Sequence, residues 1–188
     1  MKKGLIIVIA IVVVFAILGG SLVSSYNGLV ERQANVENAD AQIQVQLQRR
    51  ADLIPNLVNT VKGYAQHEED VYTALADARA KLNSASTPEE YTEANASFES
   101  ALSRLLVVVE NYPELKADKN FVALQDQLEG TENRISVARK DYNDIATEYN
   151  TSIKKFPTVI IAGMFGFEKV DLFEATEESL NAPTVIFE

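Results

Sequence analysis

Apolar residues are arranged along this chain in two different ways. From Gly4 to Val30, in "GLIIVIAIVVVFAILGGSLVSSYNGLV", no residue is charged and Leu5–Leu18 is almost wholly aliphatic. Twenty apolar residues at about 1.5 Å each cover the roughly 30 Å hydrocarbon layer of a bilayer, so this stretch predicts a membrane-spanning helix. Beyond it the apolar positions thin to a stripe: Leu29, Val36, Ile43, Leu47, Ile54, Leu57 and Val61 recur at helical spacing. A stripe of that kind predicts an amphipathic helix. No Gly–Pro punctuation separates it from the apolar run, so one near-continuous helix is expected to rise from the bilayer. The stripe carries on through Tyr64, Tyr72, Leu75 and Leu82 and stops in "NSASTPEE".

In that stop signal, Thr87 as N-cap, Pro88 at the first helical position and Glu90 three residues on form a capping box. A second helix follows, with Tyr91, Ala94, Phe98, Leu102, Leu105 and Val109 on one side, until Pro113 and its turn-forming neighbours in "NYPELKADKN" interrupt it. The next segment has the cleanest pattern. Phe121, Leu124, Leu128, Thr131, Ile135, Ala138, Tyr142, Ile145 and Tyr149 alternate three and four residues apart, as the seam of a coiled coil or bundle helix does. A helix from Asn120 to Ile153 would be roughly 50 Å long and needs partners of similar length to bury that seam. After Pro157 comes "FPTVIIAGMFGF", an apolar segment too short to span a bilayer, and then a mixed acidic and extended-looking end. The fold class expected is all-α: a transmembrane anchor over residues 1–25, and a coiled-coil-like four-helix bundle of long antiparallel helices over 26–155. The apolar segment and tail, 156–188, would pack on the bundle or on a neighbour.

Charge and composition narrow the chemistry. There is no cysteine, which excludes disulfides, thiolate metal sites and cysteine nucleophiles, and the single histidine, His67, excludes any site built on two imidazoles. All 27 acidic residues lie after Val30; with Lys2 and Lys3 set aside, 15 basic residues oppose them, a net of −12. A domain of that sign repels nucleic acid and anionic head groups, and no nucleic-acid partner is expected. A basic start, an apolar run and small residues at Gly19, Gly20 and Ser21 also fit a cleaved signal peptide. The length of the run and the lack of an A-x-A site favour an uncleaved anchor. Lys2 and Lys3 place the N-terminus in the cytoplasm and the acidic domain on the outer side of a membrane crossed once.

The segments "LQRRADLIPNLVNTVKGYAQHEE", "ADARAKL", "YPELKADKNFVALQDQLEGTENRISVARKDYNDIATEYN" and "FEATEESLNAPTVIFE" closely resemble the LemA family, in its order and spacing, from about Tyr26 to the C-terminus. The resemblance implies a bacterial-type protein of the cell membrane with one N-terminal transmembrane helix and a bundle of long antiparallel helices, and it implies no defined reaction. One departure is Asp40, where family members often carry a tryptophan.

Several constellations invite a chemical reading. Continuing the stripe from Ile43 and Leu47 puts Arg50 on the seam, where a lone guanidinium would be very costly. Its natural partner is Glu132, or Glu129, on the long later helix. The structural reading is a pair that sets the register of two long helices; the functional one is a ligand or partner site gated by that pair. Pro55 predicts either a bend or a new helix with Asp52 as N-cap, and Asn56 a group to satisfy freed carbonyls. "YAQHEED" has histidine and carboxylates, but the Glu-x-x-His that di-iron bundles need is missing, so a solvated acidic face is expected, with no metal and no other cofactor. Tyr142 and Tyr149 lie on the seam with Arg134 and Arg139 nearby, either as packed aromatics with bonded hydroxyls or as a groove for a peptide or polymer. Phe156, Ile160, Met164, Phe165 and Phe167 are candidates for contact with a subunit or with the membrane. No nucleophile elbow, P-loop or dinucleotide fingerprint appears, so a non-enzymatic role is expected. The leading reading is a homo-oligomeric membrane scaffold, its partners the bilayer, other copies of itself and other membrane proteins. A sensory or binding module outside the membrane is the alternative, and an enzyme comes last.

Overall fold

The computed structural model describes residues 2–65 and 67–174. Among the described residues every regular element is an α-helix, so the chain is all-α: α1 (Lys2–Lys62), α2 (Glu69–Ser84), α3 (Pro88–Val109), α4 (Pro113–Lys116), α5 (Lys119–Ser152) and α6 (Thr158–Phe165). The chain forms two compact units, and α1 and α5 contribute to both. The acidic helical piece and extended end expected near the C-terminus lie largely beyond residue 174, outside the described residues.

The first unit comprises residues 1–41 and 141–171. Within α1, the described aliphatic side chains between Ile6 and Ile17 are exposed around the whole helix, while Leu29, Val36 and Ala39 begin a buried stripe. Tyr142, Ala146, Tyr149 and Ile153 form the buried line of the α5 end. That line passes through Ala146 where strict heptad spacing names Ile145, which is half-buried. A straight helix of 3.6 residues per turn drifts away from a 3.5-residue repeat, and the drift selects the next residue. The segment after α6 is strapped to α5 by polar bonds. The amide of Asn150 donates to the Val170 carbonyl at 2.8 Å and its oxygen accepts from the Val170 N–H at 2.9 Å, as a strand neighbour would. The Tyr142 hydroxyl donates to the Asp171 carbonyl at 2.9 Å. Gly166 ends α6 at φ 76°, a left-handed conformation that glycine adopts without cost, and the Phe167 N–H then reaches the Ala162 carbonyl at 3.0 Å.

The second unit comprises, among the described residues, 42–65, 67–140 and 172–174. Here the stripe Ile43, Leu47, Ile54, Leu57 and Val61 of α1 is fully buried, as are Leu75 of α2, Phe98 and Leu105 of α3, and Phe121 and Ile135 of α5. α2 and α3 pack on each other as a helical hairpin. The capping box forms at its turn: the Glu90 N–H donates to the Thr87 hydroxyl at 3.2 Å. The Glu90 carboxylate accepts from the N–H and hydroxyl of Ser86, one residue before the cap, and these bonds hold its carboxyl below the ordinary range.

Three expectations change here. The stripe does not continue as one helix past Val61. Gly63, a poor helix former, lies in a turn before the acid-headed start of α2, and the Tyr64 and Ala65 N–H groups both bond the Val61 carbonyl at 2.9 Å. The interruption at Pro113 contains a one-turn helix, α4, whose Leu115 is buried. Pro55 does not start a new helix. It lies inside α1, and Asp52, the proposed cap, instead accepts from the Gln48 amide at 2.9 Å on the exposed face. The buried residues Ile54 and Leu57 flank the proline, and burying a pair of such side chains is worth about 3–6 kcal/mol, enough to offset a proline in a helix interior. The Asn56 side chain is exposed; the residue's main-chain carbonyl accepts from the Thr60 hydroxyl at 2.9 Å.

Candidate functional site

In the second unit, α1, α3 and α5 meet at one charged side chain. Arg50 is 1% exposed although it carries a full positive charge. It sits there because it occupies a seam position between Leu47 and Ile54, and a helix cannot turn one position outward without losing the whole stripe. Its guanidinium donates through Nη1 to Asn95 Oδ1 and Glu132 Oε2, and through Nη2 to Glu99 Oε1. Its flat face lies over the Phe98 ring, 4.5 Å from the centroid. Asn95, Phe98 and Glu99 all come from one face of α3, at the spacing of a single helical turn. Of the three guanidinium nitrogens of Arg50, Nε is the one buried without a hydrogen-bond partner among the described residues. Bonds to two carboxylates and one amide are what makes burial of this charge tolerable.

A second arginine completes the group. Arg139 donates to the Tyr91 carbonyl at 3.3 Å and lies 5.3 Å from the centroid of Phe173, whose ring is stacked on that of Tyr91 at 6.1 Å. Burial pulls the Arg139 guanidinium below its ordinary value; the Glu132 charge opposes that shift and the Arg50 charge adds to it. An arginine stays protonated through such a change. The cluster is therefore close to balanced in charge, with Glu99 and Glu132 half-exposed at its outer edge.

Beside Arg50 lies a cleft of about 320 Å³, lined by Glu99, Glu129 and Glu132 with Leu102, Leu106 and Leu128 among its walls. That is the lower end of the size range of ligand pockets. The cluster offers fixed charge and no nucleophile. Its carboxylates are ion-paired, an arrangement for holding helices or a cation rather than for transferring protons.

The structure brings Arg50 and Glu132 together, and it adds Asn95 and Glu99, which the sequence reading did not name. A signal was present: Asn95 is a polar residue between Tyr91 and Phe98 on the apolar face of α3, as Arg50 is on α1. The proposed groove residues divide between the units, Arg134 and Arg139 in the second and Tyr142 and Tyr149 in the first. Arg134 is exposed, Arg139 is engaged by Tyr91 and Phe173, and Tyr142 and Tyr149 are buried, their rings packed rather than presented. Burial raises the Tyr149 hydroxyl above the usual tyrosine value, helped by the charge of Glu168. His67 and its acidic neighbours lie in and after the turn that precedes α2, and among the described residues no three His, Asp or Glu side chains converge as metal ligands. Phe156, Ile160, Met164 and Phe165 are exposed around α6.

The LemA family model matches residues 39–187, which include Arg50, Asn95, Glu99 and Glu132. The chain belongs to the LemA family. Its similar relatives carry two names. The magnetosome protein MamQ 2 of Paramagnetospirillum magneticum is 26% identical over 195 residues, spanning 90% of this chain and 71% of that protein. Protein LemA of Metamycoplasma hominis is 27% identical over 152 residues, 80% of this chain and 69% of its own length. MamQ of Magnetospirillum gryphiswaldense is 25% identical over 179 residues, 81% of this chain and 66% of its own. The arginine cluster thus lies within the part of the chain that defines LemA membership, and most of the apolar N-terminal helix lies before it.

Proposed function

We propose that this LemA protein is a single-pass, membrane-anchored helical scaffold that self-associates and organises a membrane patch or displays partners there. One observation carries the reading: in α1, aliphatic side chains face outward on every side from Ile6 to Ile17, and a surface of that kind is stable only in lipid. Lys2 and Lys3 orient the N-terminus toward the cytoplasm, with the acidic remainder of the chain on the other side. A role in arranging other molecules fits a cluster of fixed, paired charges better than catalysis does. Similarity to MamQ, named for the magnetosome, suits a part of an assembled body.

The full chain reconstituted into lipid nanodiscs tests this. Light scattering is expected to give a protein mass that is a multiple of the 20.7 kDa chain. A monomer at every concentration overturns self-association, and loss of the protein to the soluble fraction overturns the anchor. The cleft at Arg50 favours a second reading, a binding module for a small cationic group, because three glutamates and leucines line it together. That reading predicts thermal stabilisation that grows with ligand concentration.

A further inference from the structure

α6 is an apolar helix with little buried surface. Ile161 and Ala162 are buried, while Phe156, Val159, Ile160, Met164 and Phe165 remain exposed, Phe156 at 81% and Met164 at 73%. Contacts within the first unit fix its level along α1. At its C-terminal end, the rings of Phe165 and Phe167 lie 4.7 and 5.8 Å from that of Tyr26. At its N-terminal end, Thr158 lines a cleft of about 640 Å³ together with Ser25, Gly28, Leu29 and Arg32 of α1. Both ends of α6 are thus held beside residues 25–32.

That level is where the apolar run stops. Val30 is the last residue of the uncharged stretch, Glu31 and Arg32 are the first charges, and Tyr26 lies about 7 Å below Glu31 along the helix axis. Residues at this depth stand at the boundary of hydrocarbon and head groups, where aromatic rings concentrate. The cleft at the other end of α6 carries Arg32, Glu148, Lys155 and several hydroxyls, and Arg32 pairs with Glu148 at 3.4 Å. Polar groups on one side and bare aromatics on the other are what an element lying in the interface needs.

We propose that α6 is a second membrane contact: an interfacial helix whose exposed side chains Ile160, Met164 and Phe165, with Phe156 just before it, are seated among the phospholipid acyl chains next to the anchor. The occupant is lipid rather than a second subunit because the apolar surface of α6 is continuous, through the rings at Tyr26, with the outward-facing surface of the proposed span. The inference rests on the anchor reading.

The chain contains no tryptophan, so single substitutions report depth without background. Phe156→Trp and Met164→Trp replace exposed residues and leave the core intact. Each full-length variant is reconstituted into phosphatidylcholine vesicles with plain or acyl-brominated chains, with Val14→Trp marking the span and Val45→Trp the water-exposed stripe. Bromine is expected to reduce the emission of Phe156→Trp and Met164→Trp by about twofold or more, as for groups buried about 5–10 Å into the interface. Quenching of Val14→Trp alone overturns the interfacial role of α6 and leaves the anchor standing. No quenching at Val14→Trp removes the anchor and the proposal with it. Blue-shifted but unquenched emission at positions 156 and 164 means that protein covers α6, and also overturns it.

Discussion

Two stretches of the one helix α1 solve opposite problems. From Ile6 to Ile17 its described side chains are apolar on all sides and exposed; from Val36 to Val61 one stripe is apolar and buried, and the opposite face is largely polar. Yet the first stretch tolerates no charge, whereas the second buries an arginine. Exposure alone does not separate them: Val13 and Val45 are 49% and 62% exposed on the same helix. What differs is what lies outside and what lies across. A helix in lipid has no donor or acceptor to meet a charge, while the second stretch faces α3 and α5, which supply two carboxylates and an amide.

The largest expected effect breaks the buried side of this contrast. Arg50→Ala removes a charge that binds Glu99, Glu132 and Asn95 and opens a void over Phe98. Because both carboxylates keep part of their water, the cost should fall at the low end of the range for broken buried pairs, about 3 kcal/mol. Urea denaturation measures it. Arg50→Met, which fills the volume without a charge, is expected to lose less, and equal loss in both would mean that the ion pairs, not packing, carry the site.

Next in size is a test of the solvent. Val13→Arg is expected to cost about 2.5–3 kcal/mol of membrane insertion, read as protein lost from the membrane fraction, while Val45→Arg leaves insertion and melting unchanged. Equal behaviour of the two would show that the first stretch does not face lipid.

Smaller effects come from the helix ends in the second unit. Thr87→Ala removes the acceptor for the Glu90 N–H and is expected to cost about 1 kcal/mol, seen as a lower thermal midpoint. Smallest is a pH effect at the start of α5. The Phe121 N–H, with help from the Tyr64 hydroxyl and the Asn120 N–H, holds the Asp118 carboxyl below its usual range. A lowered folded value gives stability that is present above the unfolded carboxylate range, near pH 3.9, and lost as pH falls through the lower folded value. The gap in thermal midpoint between the parent and Asp118→Asn should therefore be open at neutral pH and close on acidification below the ordinary carboxylate range. A gap that widens in acid would contradict the bonding at Asp118.

Local chemistry made much of this legible. The apolar run, the capping box at Thr87 and the seam of α5 each depend on residues within a few turns of one another, and each element forms where its pattern lies. Arg50 was recognisable because a charge interrupted a periodic stripe, and Glu132 because it adjoins the facing seam. Asn95 is marked in the sequence only as a polar residue on the apolar face of α3, and Glu99 not at all, since nothing in their own neighbourhood says that α3 also faces Arg50. The stripe through Tyr64 suggested a longer helix because period alone does not register the weak helix propensity of Gly63. For Tyr142 and Tyr149 the seam spacing favoured packed aromatics over a groove, but it could not say that the Tyr142 hydroxyl and the Asn150 amide hold the strap at Asp171 and Val170.

Helix positions, the lipid-like stretch, the acidic balance and the family were determined by the sequence itself, because each follows from residue type and spacing along a single helix. Only the tertiary structure decided that Arg50 is held by three side chains from two other helices, and that α6 lies beside Tyr26 with its aromatic face bare. Those outcomes turn on which faces meet across dozens of intervening residues, where a partner's desolvated charge or ring supplies the energy and local spacing carries no record of it.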